Sequence, residues 1–220
     1  MTSRAVVRGR RLGYTVTKRS LDLVGATVLV VLLSPLLALV GVLVRVGSSG
    51  PAFFRQTRVG RDGQPFTMVK FRTMKTGCSD VLHREYVERL LEDDAAAASP
   101  GSAVFKLDDD PRLTSLGKLL RRTSIDELPQ LFNVLRGDMS LVGPRPVLPW
   151  ERELLRGEYD DRFSVPPGMT GLWQTSGRST LTMRQALELD LQYVHRCGFL
   201  FDLRLLLLTV RTVLRVGDAG

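Results

Sequence analysis

The stretch that decides the fold of this chain is Leu23 to Val44, which reads LVGATVLVVLLSPLLALVGVLV and contains no charged residue. Asp22 and Arg45 bracket it. As an ideal α-helix it would reach roughly 33 Å at about 1.5 Å per residue, and a bilayer core is about 30 Å thick. The stretch therefore predicts a helix embedded in a membrane. A secretory signal peptide is disfavoured, because the apolar run is too long and Arg45 follows in place of a small-residue cleavage site.

The centre and the flanks of this run indicate its topology. Ser34-Pro35 lies in the middle, and proline lacks an N–H and clashes with the carbonyl four residues earlier. Both flanks are basic, and a single crossing cannot keep both on the cytoplasmic side. We therefore expect a re-entrant segment that breaks at Ser34 and Pro35 and leaves by the same face, with a kinked spanning helix as the alternative. The basic residues are Arg4, Arg8, Arg10, Arg11, Lys18 and Arg19 before the run and Arg45, Arg55, Arg58, Arg61, Lys70, Arg72 and Lys75 after it.

Composition describes a globular chain with acidic partners. The 220 residues allow one or two domains, and 44% hydrophobic with 25% charged residues excludes disorder. The net charge of +8 favours nucleic acid, anionic lipid or phosphorylated substrates as partners, and the aromatic content of 7% argues against a base-stacking surface. Cys78 and Cys197 lie far apart without a metal-ligand pattern, so a disulfide scaffold and a zinc ribbon are both disfavoured.

Beyond residues 47–51 the pattern is that of a small soluble domain. Alternation at 66–71 predicts a strand in a small sheet, and helical spacing predicts helices at 81–92, 113–122, 128–136, 147–155 and 182–194. Residues 93–102 read as a flexible loop or insertion. The fold class is therefore α+β and mostly helical. We divide the chain into a basic N-terminal segment at 1–17, the re-entrant membrane helix at 18–47 and a soluble domain at 48–216.

The C-terminal segment 199–216 has the pattern of an amphipathic helix. Leucine and valine recur on one face, and Arg204, Arg211 and Arg215 cluster on another. Such a helix suits the membrane interface, although a core-facing helix has the same pattern. The membrane run upstream favours the interfacial interpretation.

Two adjacent carboxylates, Asp126 and Glu127, form the centre of the chemically suggestive region. One interpretation is a capping box, with Ser124 as N-cap and Glu127 at the third helical position. The other is catalysis, because a carboxylate at a helix N-terminus stays ionised beside a positive end that can hold phosphate. An aspartate there can attack phosphorus, and two acids offer hard oxygen ligands for Mg²⁺.

Several turns carry basic side chains that could accompany these acids. Gly143-Pro-Arg-Pro146 projects Arg145 from a rigid turn, and Ser176-Gly-Arg178 presents Arg178 after the turn Pro166 to Gly171. Asp108 to Arg112 places three acids before a proline and an arginine, a pattern more typical of a solvated turn. Each turn is a weak signal by itself.

Together these residues resemble the bacterial sugar transferase family, the monotopic phosphoglycosyl transferases that start glycan assembly on a polyprenol phosphate carrier. The resemblance covers roughly residues 15 to 215 in its minimal single-domain form. It is carried by Lys18-Arg-Ser-Leu-Asp22, Ser34-Pro35, Phe54-Arg-Gln-Thr-Arg58, Lys70-Phe-Arg-Thr-Met74, Asp110-Pro-Arg-Leu-Thr114, Thr123-Ser-Ile-Asp-Glu-Leu-Pro-Gln130, Asn133-Val-Leu-Arg-Gly-Asp-Met-Ser-Leu-Val-Gly-Pro-Arg-Pro146 and Pro167-Gly-Met-Thr-Gly171.

The resemblance implies a cytosolic catalytic domain with interfacial helices at the cytoplasmic face of the cell membrane. It implies that Asp126 attacks the β-phosphorus of a UDP-sugar, releasing UMP, and that polyprenol phosphate then takes the sugar phosphate. Glu127 would position Asp126 or a Mg²⁺ ion. We expect membrane lipid and no nucleic acid as further partners. The residues expected to contact diphosphate, uridine or carrier phosphate are Lys70, Arg72, Arg112, Arg145 and Arg178.

Some questions stay open at the level of sequence. The segment 193–199 lacks the Trp-Ser pair often found before the final helix of the family, and the loop at 95–102 does not align. The sugar, the pathway and the formation of a homo-oligomer are not fixed. The competing hypothesis is a membrane-tethered scaffold whose basic surface binds anions without catalysis, although a binding module needs no adjacent carboxylates beside its basic patch.

Overall fold

The computed structural model describes residues 11–75, 81–92, 112–177 and 181–218. Helices dominate these residues, and the strands form two small two-stranded sheets, so the expected α+β and mostly helical class is confirmed. The helices are α1 (Arg11–Gly47), α2 (Val81–Glu92), α3 (Ser115–Thr123), α4 (Leu131–Arg136), α5 (Pro149–Leu154), α6 (Leu172–Thr175), α7 (Met183–Arg196) and α8 (Phe199–Asp218). The strands are β1 (Phe53–Val59), β2 (Pro65–Phe71), β3 (Ser140–Val142) and β4 (Gly168–Thr170), and 3₁₀ helices cover Arg61–Gly63, Ile125–Gln130 and Asp160–Ser164.

Helix α1 stays helical through Pro35, which corrects the expected division into two helices at Ser34 and Pro35. Proline removes the N–H that would bind the carbonyl four residues earlier, which belongs to Val31. The Ser34 hydroxyl donates a hydrogen bond to that Val31 oxygen at 2.8 Å. The Ser-Pro pair thus replaces a backbone hydrogen bond by a side-chain one, and the helix does not end.

Both ends of α1 contact the rest of the protein. Near its start, the Asp22 carboxylate accepts a hydrogen bond from the backbone N–H of Leu141 at 3.0 Å. Near its end, Val40 and Val44 are buried against Phe71 of β2. Among the described residues, α1 contains the one segment that is long and apolar enough to cross a membrane. Between its two contacts the helix exposes apolar side chains, among them Val28, Val31, Leu32 and Leu39.

A buried polar cluster ties the first helix to the last. The Lys18 ammonium lies 3.0 Å from a carboxylate oxygen of Asp202 in α8, and Asp202 is fully buried. Tyr14 and Tyr193 each donate a hydrogen bond to Asp202, at 2.8 and 2.9 Å. Because an unpaired buried charge is costly, this cluster fixes α1 and α8 relative to each other.

The antiparallel hairpin β1–β2 presents two different faces. Its register pairs Phe54 with Lys70, and successive side chains of a strand point to opposite faces. Phe53 pairs with Phe71 on the other face, where the two rings stack with centroids 5.3 Å apart. One face therefore packs toward α1, and the opposite face carries Phe54, Gln56, Arg58, Phe66, Met68 and Lys70.

The parallel pair β3–β4 brings together two turns that lie far apart in the sequence. Gly143 and Gly168 approach so closely that a Cβ on Gly168 would lie about 2.0 Å from the Gly143 nitrogen, and a Cβ on Gly171 would meet the Gly143 oxygen at 2.5 Å. Only residues without a side chain permit this approach. The motifs around Pro144 and Pro167 thus form a single unit.

The helix predictions agree with the structure except at the ends of elements. The helix expected at 182–194 is α7, which begins with a capping box between Thr182 and Gln185. The helix expected at 128–136 begins instead as the 3₁₀ helix Ile125–Gln130 and becomes α-helical at Leu131. Helix α1 starts at Arg11, so the boundary drawn between residues 17 and 18 falls inside it.

Candidate active site

The carboxylate pair lies on the 3₁₀ helix that follows α3. Ser124 ends α3 in the left-handed conformation, with φ 58° and ψ 16°, and its side chain caps nothing in the helix that follows. The N–H of Glu127 is bound by the backbone oxygen of Ser124 at 3.2 Å. The capping-box interpretation is therefore wrong, because an N-cap serine needs extended backbone. Asp126 is only 3% exposed.

A cleft opens beside this pair. It lies between the hairpin, the 3₁₀ helix and the β3–β4 turns, and its empty space measures about 390 Å³ when the open solvent at its mouth is included. Two of the predicted basic residues, Lys70 and Arg145, line it together with Glu127, which confirms that the fold brings these three together. The remaining lining residues are Arg58, Met68, Gln130, Pro146, Gly168, Met169 and Gln174.

Lys70 lines the cleft close to several other charged groups. Burial and the neighbouring charge of Arg58 lower its pKa to about 8, against the opposing pull of Asp126 and Glu127. Its ammonium also lies 5.3 Å from the centroid of the Phe54 ring. Lys70 therefore lies near Asp126, Glu127 and the ring of Phe54, and burial there disfavours its positive charge.

Arg58 is a site residue that the sequence analysis did not single out. It is 6% exposed, and its guanidinium donates to the Pro146 carbonyl oxygen at 3.3 Å and to the Gln56 side chain at 2.8 Å. A carboxylate oxygen of Glu151 lies 3.7 Å away. The signal that could have found it is strand alternation, which places positions 58 and 70 on the same face of the hairpin.

The backbone of Arg145 is held by a buried ion pair. Arg162 and Asp190 contact each other with side chains only 1% and 2% exposed. Arg162 also donates to the carbonyl oxygen of Arg145 at 3.0 Å. Burial raises the pKa of Asp190, opposed by Arg162 and by a hydrogen bond from the backbone N–H of Arg145. Arg162 and Asp190 thus bind the backbone carbonyl oxygen and the backbone N–H of Arg145, which lines the cleft.

The other predicted substrate contacts lie elsewhere. Arg72 is 6% exposed, and its guanidinium donates to the backbone oxygen and the hydroxyl of Ser48, both at 2.8 Å, so it binds the end of α1. Arg112 does not line the cleft, and its backbone oxygen accepts a hydrogen bond from Lys75 at 2.9 Å. Arg178 and the acids at 108–110 lie outside the described residues.

The oxygen donors of the carboxylate pair are of the chemical type that Mg²⁺ prefers. Asp126, Glu127 and the Gln130 side chain offer hard oxygen donors, and Glu127 and Gln130 both line the cleft. Within the described part of the chain, no group of three or more His, Cys, Asp or Glu side chains forms a complete metal cage. Mg²⁺ usually binds through one or two carboxylates plus substrate phosphates, so this donor set suits it.

Several known proteins are similar to this chain over most of its length. The UDP-galactose-lipid carrier transferase of Erwinia amylovora is 42% identical over 90% of this chain and 40% of its own length. The exopolysaccharide production protein ExoY of Sinorhizobium fredii is 39% identical over 90% of this chain and 85% of its own length. The UDP-glucose:undecaprenyl-phosphate glucose-1-phosphate transferase of Caulobacter vibrioides is 39% identical over 95% of this chain and 74% of its own length.

The extent of these matches differs between relatives. The chain spans about two fifths of the length of several of them, such as the Erwinia protein, and most of the length of ExoY. The family model described as bacterial sugar transferase matches residues 13–216, which include all but the first two residues of α1, the carboxylate pair and the cleft. The chain therefore belongs to the bacterial sugar transferase family.

Proposed function

We propose that the protein transfers a sugar 1-phosphate from a UDP-sugar to polyprenol phosphate at the cytoplasmic face of the cell membrane. The products are UMP and a polyprenol diphosphosugar. The name of the Caulobacter relative states such a transfer for glucose, and the name of the Erwinia relative a transfer of galactose to a lipid carrier. The observation that carries the proposal is the cleft in which Glu127, the neighbour of the buried Asp126, lies with Lys70, Arg58 and Arg145.

The chemistry we propose has two displacements at one phosphorus atom. In the first, a carboxylate oxygen of Asp126 attacks the β-phosphorus of the UDP-sugar, and the bond from that phosphorus to the bridging oxygen breaks. UMP leaves with the bridging oxygen, and an aspartyl sugar-phosphate remains. In the second, a phosphate oxygen of the carrier attacks the same phosphorus, and the bond to Asp126 breaks. The carboxylate is regenerated, and no strong general acid is needed because UMP is a good leaving group.

The electrostatics of the cleft support this assignment. A carboxylate approaching a diphosphate meets like-charge repulsion, which is strong where water is excluded. Lys70, Arg58 and Arg145 line the same cleft as Glu127 and supply compensating positive charge. Asp126 and Glu127 would hold a Mg²⁺ ion, which when bound offsets further diphosphate charge. The burial of Asp126 excludes most water from its carboxylate, which strengthens the effect of nearby charges on it.

The same proposal includes a re-entrant topology for α1. Its start contacts β3 and its end contacts β2, so both ends adjoin the domain that carries the cleft. A spanning helix would place one of these two ends on the side of the membrane opposite that domain. The exposed apolar side chains lie between the two contacts, where the helix would dip into lipid. The basic residues on both flanks support the same arrangement.

The proposal is tested by UMP release from a panel of UDP-sugars in the presence of polyprenol phosphate, with Asp126→Asn as the critical variant. Asparagine keeps the shape of the buried side chain but removes its charge, so we expect UMP release to fall on the order of a thousand-fold or more. The unfolding temperature should stay equal or rise, since a buried charge is removed. Glu127→Gln should impair turnover less completely. Near-normal turnover by folded Asp126→Asn would eliminate Asp126 as the nucleophile.

A further inference from the structure

The open end of the hairpin β1–β2 carries an exposed aromatic side chain beside a cation of the cleft. Phe54 is 39% exposed, and Phe53 beside it is 42% exposed. Phe54 shares a face with its cross-strand partner Lys70, whose ammonium lies 5.3 Å from the centre of the ring. Lys70 in turn lines the cleft with Glu127. An exposed ring and a cation thus meet at the rim of the site.

This end of the hairpin is attached to the end of the membrane helix. The N–H of Arg72 binds the Ala52 oxygen at 2.9 Å, and the Arg72 guanidinium binds the Ser48 oxygen at 2.8 Å. On the opposite face, Phe53 stacks on Phe71, and Phe71 packs against Val44 of α1. Beyond it α1 exposes further apolar side chains, namely Val42, Leu43 and Val46. Apolar packing therefore joins the end of the membrane helix to the end of the hairpin that bears the exposed rings of Phe53 and Phe54.

The far end of the hairpin has a different character. Arg58 lies four residues from Phe54 along β1, which is roughly 13 Å at about 3.3 Å per residue. There Arg58 contacts the turn that carries Arg145, through the Pro146 carbonyl oxygen. Arg58 and Lys70 thus stand toward opposite ends of the hairpin within one cleft, and the end at Lys70 adjoins apolar residues that contact α1. A water-soluble nucleotide fits the far end, whereas a phosphate attached to an isoprenoid chain fits the near end.

We propose that Phe54 and Lys70 bind polyprenol phosphate, with the first isoprene units on the Phe54 ring and the phosphate at the Lys70 ammonium. The inference rests on the proposed function and assigns one substrate to one part of the site. In the second displacement the carrier phosphate then approaches from the hairpin side, between Lys70 and the carboxylates. Phe54 is a binding residue for the acceptor and makes no contact with the nucleotide.

The test is a comparison of KM values for the two substrates in lipid nanodiscs. Phe54→Ser should raise KM for polyprenol phosphate about ten-fold, because the loss of an aromatic contact weakens apolar binding. KM for the UDP-sugar and the UMP burst without carrier should stay unchanged. Phe54→Leu should be intermediate and Phe54→Trp near wild type. Leu154→Ser, an exposed apolar residue on α5, is the matched control and should change neither KM value.

A direct measurement covers the case in which Phe54→Ser folds poorly. A polyprenol phosphate with a diazirine on its first isoprene unit should crosslink wild-type protein in the peptide that contains Phe54, and excess unlabelled carrier should suppress the adduct. The inference is overturned if KM for the carrier is unchanged in folded Phe54 variants, or if the adduct maps elsewhere. A rise in KM for the UDP-sugar instead would mean that the uracil stacks on Phe54. If wild-type protein makes no polyprenol diphosphosugar at all, the proposed function fails instead.

Discussion

At the scale of single residues, the surroundings of Lys70 change the pH at which it loses its proton. Burial and the charge of Arg58 lower its pKa from 10.5 to about 8, so Lys70 is cationic below that pH and neutral above it. Since a neutral amine binds phosphate poorly, we expect KM for polyprenol phosphate to rise about ten-fold from about pH 7 to about pH 9. Lys70→Arg keeps its charge at every accessible pH and should abolish this rise.

The lowered pKa of Lys70 also affects stability: rising pH weakens binding of the carrier but increases the free energy of unfolding. Between about pH 8 and 10.5 the unfolded chain still binds the proton of Lys70 and the folded protein does not. The contribution of Lys70 to the free energy of unfolding therefore increases with pH in that window. A loss of carrier affinity at high pH together with stable folding would separate titration of the site from unfolding. A pH profile of KM that is identical in wild type and Lys70→Arg would contradict the assignment.

Between elements, the ion pair Arg162–Asp190 joins α7 and the 3₁₀ helix Asp160–Ser164 to the turn of Arg145. Asp190→Leu leaves Arg162 buried without its partner and should reduce the free energy of unfolding by about 3–5 kcal/mol. The double variant with Arg162→Met should recover much of this loss. It should not recover UMP release, because the backbone of Arg145 is no longer held. If the double variant restored full activity, the pair would serve stability alone.

Helix α1 is the element whose topology most needs a test. Single cysteines at positions 3 and 49, in a background without Cys78 and Cys197, should both resist an impermeant thiol reagent in intact cells. Both should react after permeabilisation, which serves as the control for accessibility. Replacing Ser34-Pro35 by Ala-Leu restores the backbone donor and should shift the helix toward spanning, with one cysteine becoming reactive. Labelling of one position in the unchanged helix would contradict the re-entrant topology.

The elements also show what the sequence could predict. The helical spacing of apolar residues predicted α2, α7 and α8, because each of these helices has an apolar face and a polar face. The continuity of α1 through Pro35 was not predicted, since it depends on a hydrogen bond from the Ser34 hydroxyl to Val31. The capping box failed because the left-handed backbone at Ser124 is not visible in residue types. Residue types favoured a break at Ser34-Pro35, and they left both interpretations open at the carboxylate pair.

At the scale of the whole molecule, the site is assembled from segments far apart in the chain. The motifs around Lys70, Asp126 and Arg145 meet in one cleft, as their shared chemistry suggested. Arg72 instead binds the end of α1, and Arg58 joins the cleft through the hairpin register. Arg72 and Arg58 both occur in basic motifs. Their different positions follow from tertiary packing, which the residue type does not reveal. The resemblance to the family pointed to the candidate site, and the fold shows which side chains surround it.

The covalent step is tested most directly by mixing the protein with UDP-sugar and Mg²⁺ in the absence of polyprenol phosphate. We expect a stoichiometric burst of UMP and a protein heavier by one sugar-phosphate, with the adduct mapped by mass spectrometry to the peptide that contains Asp126. Added polyprenol phosphate should discharge the adduct, and Asp126→Asn should form none. Active protein that releases UMP only after polyprenol phosphate is added, and that never carries an adduct, would contradict the two-step account.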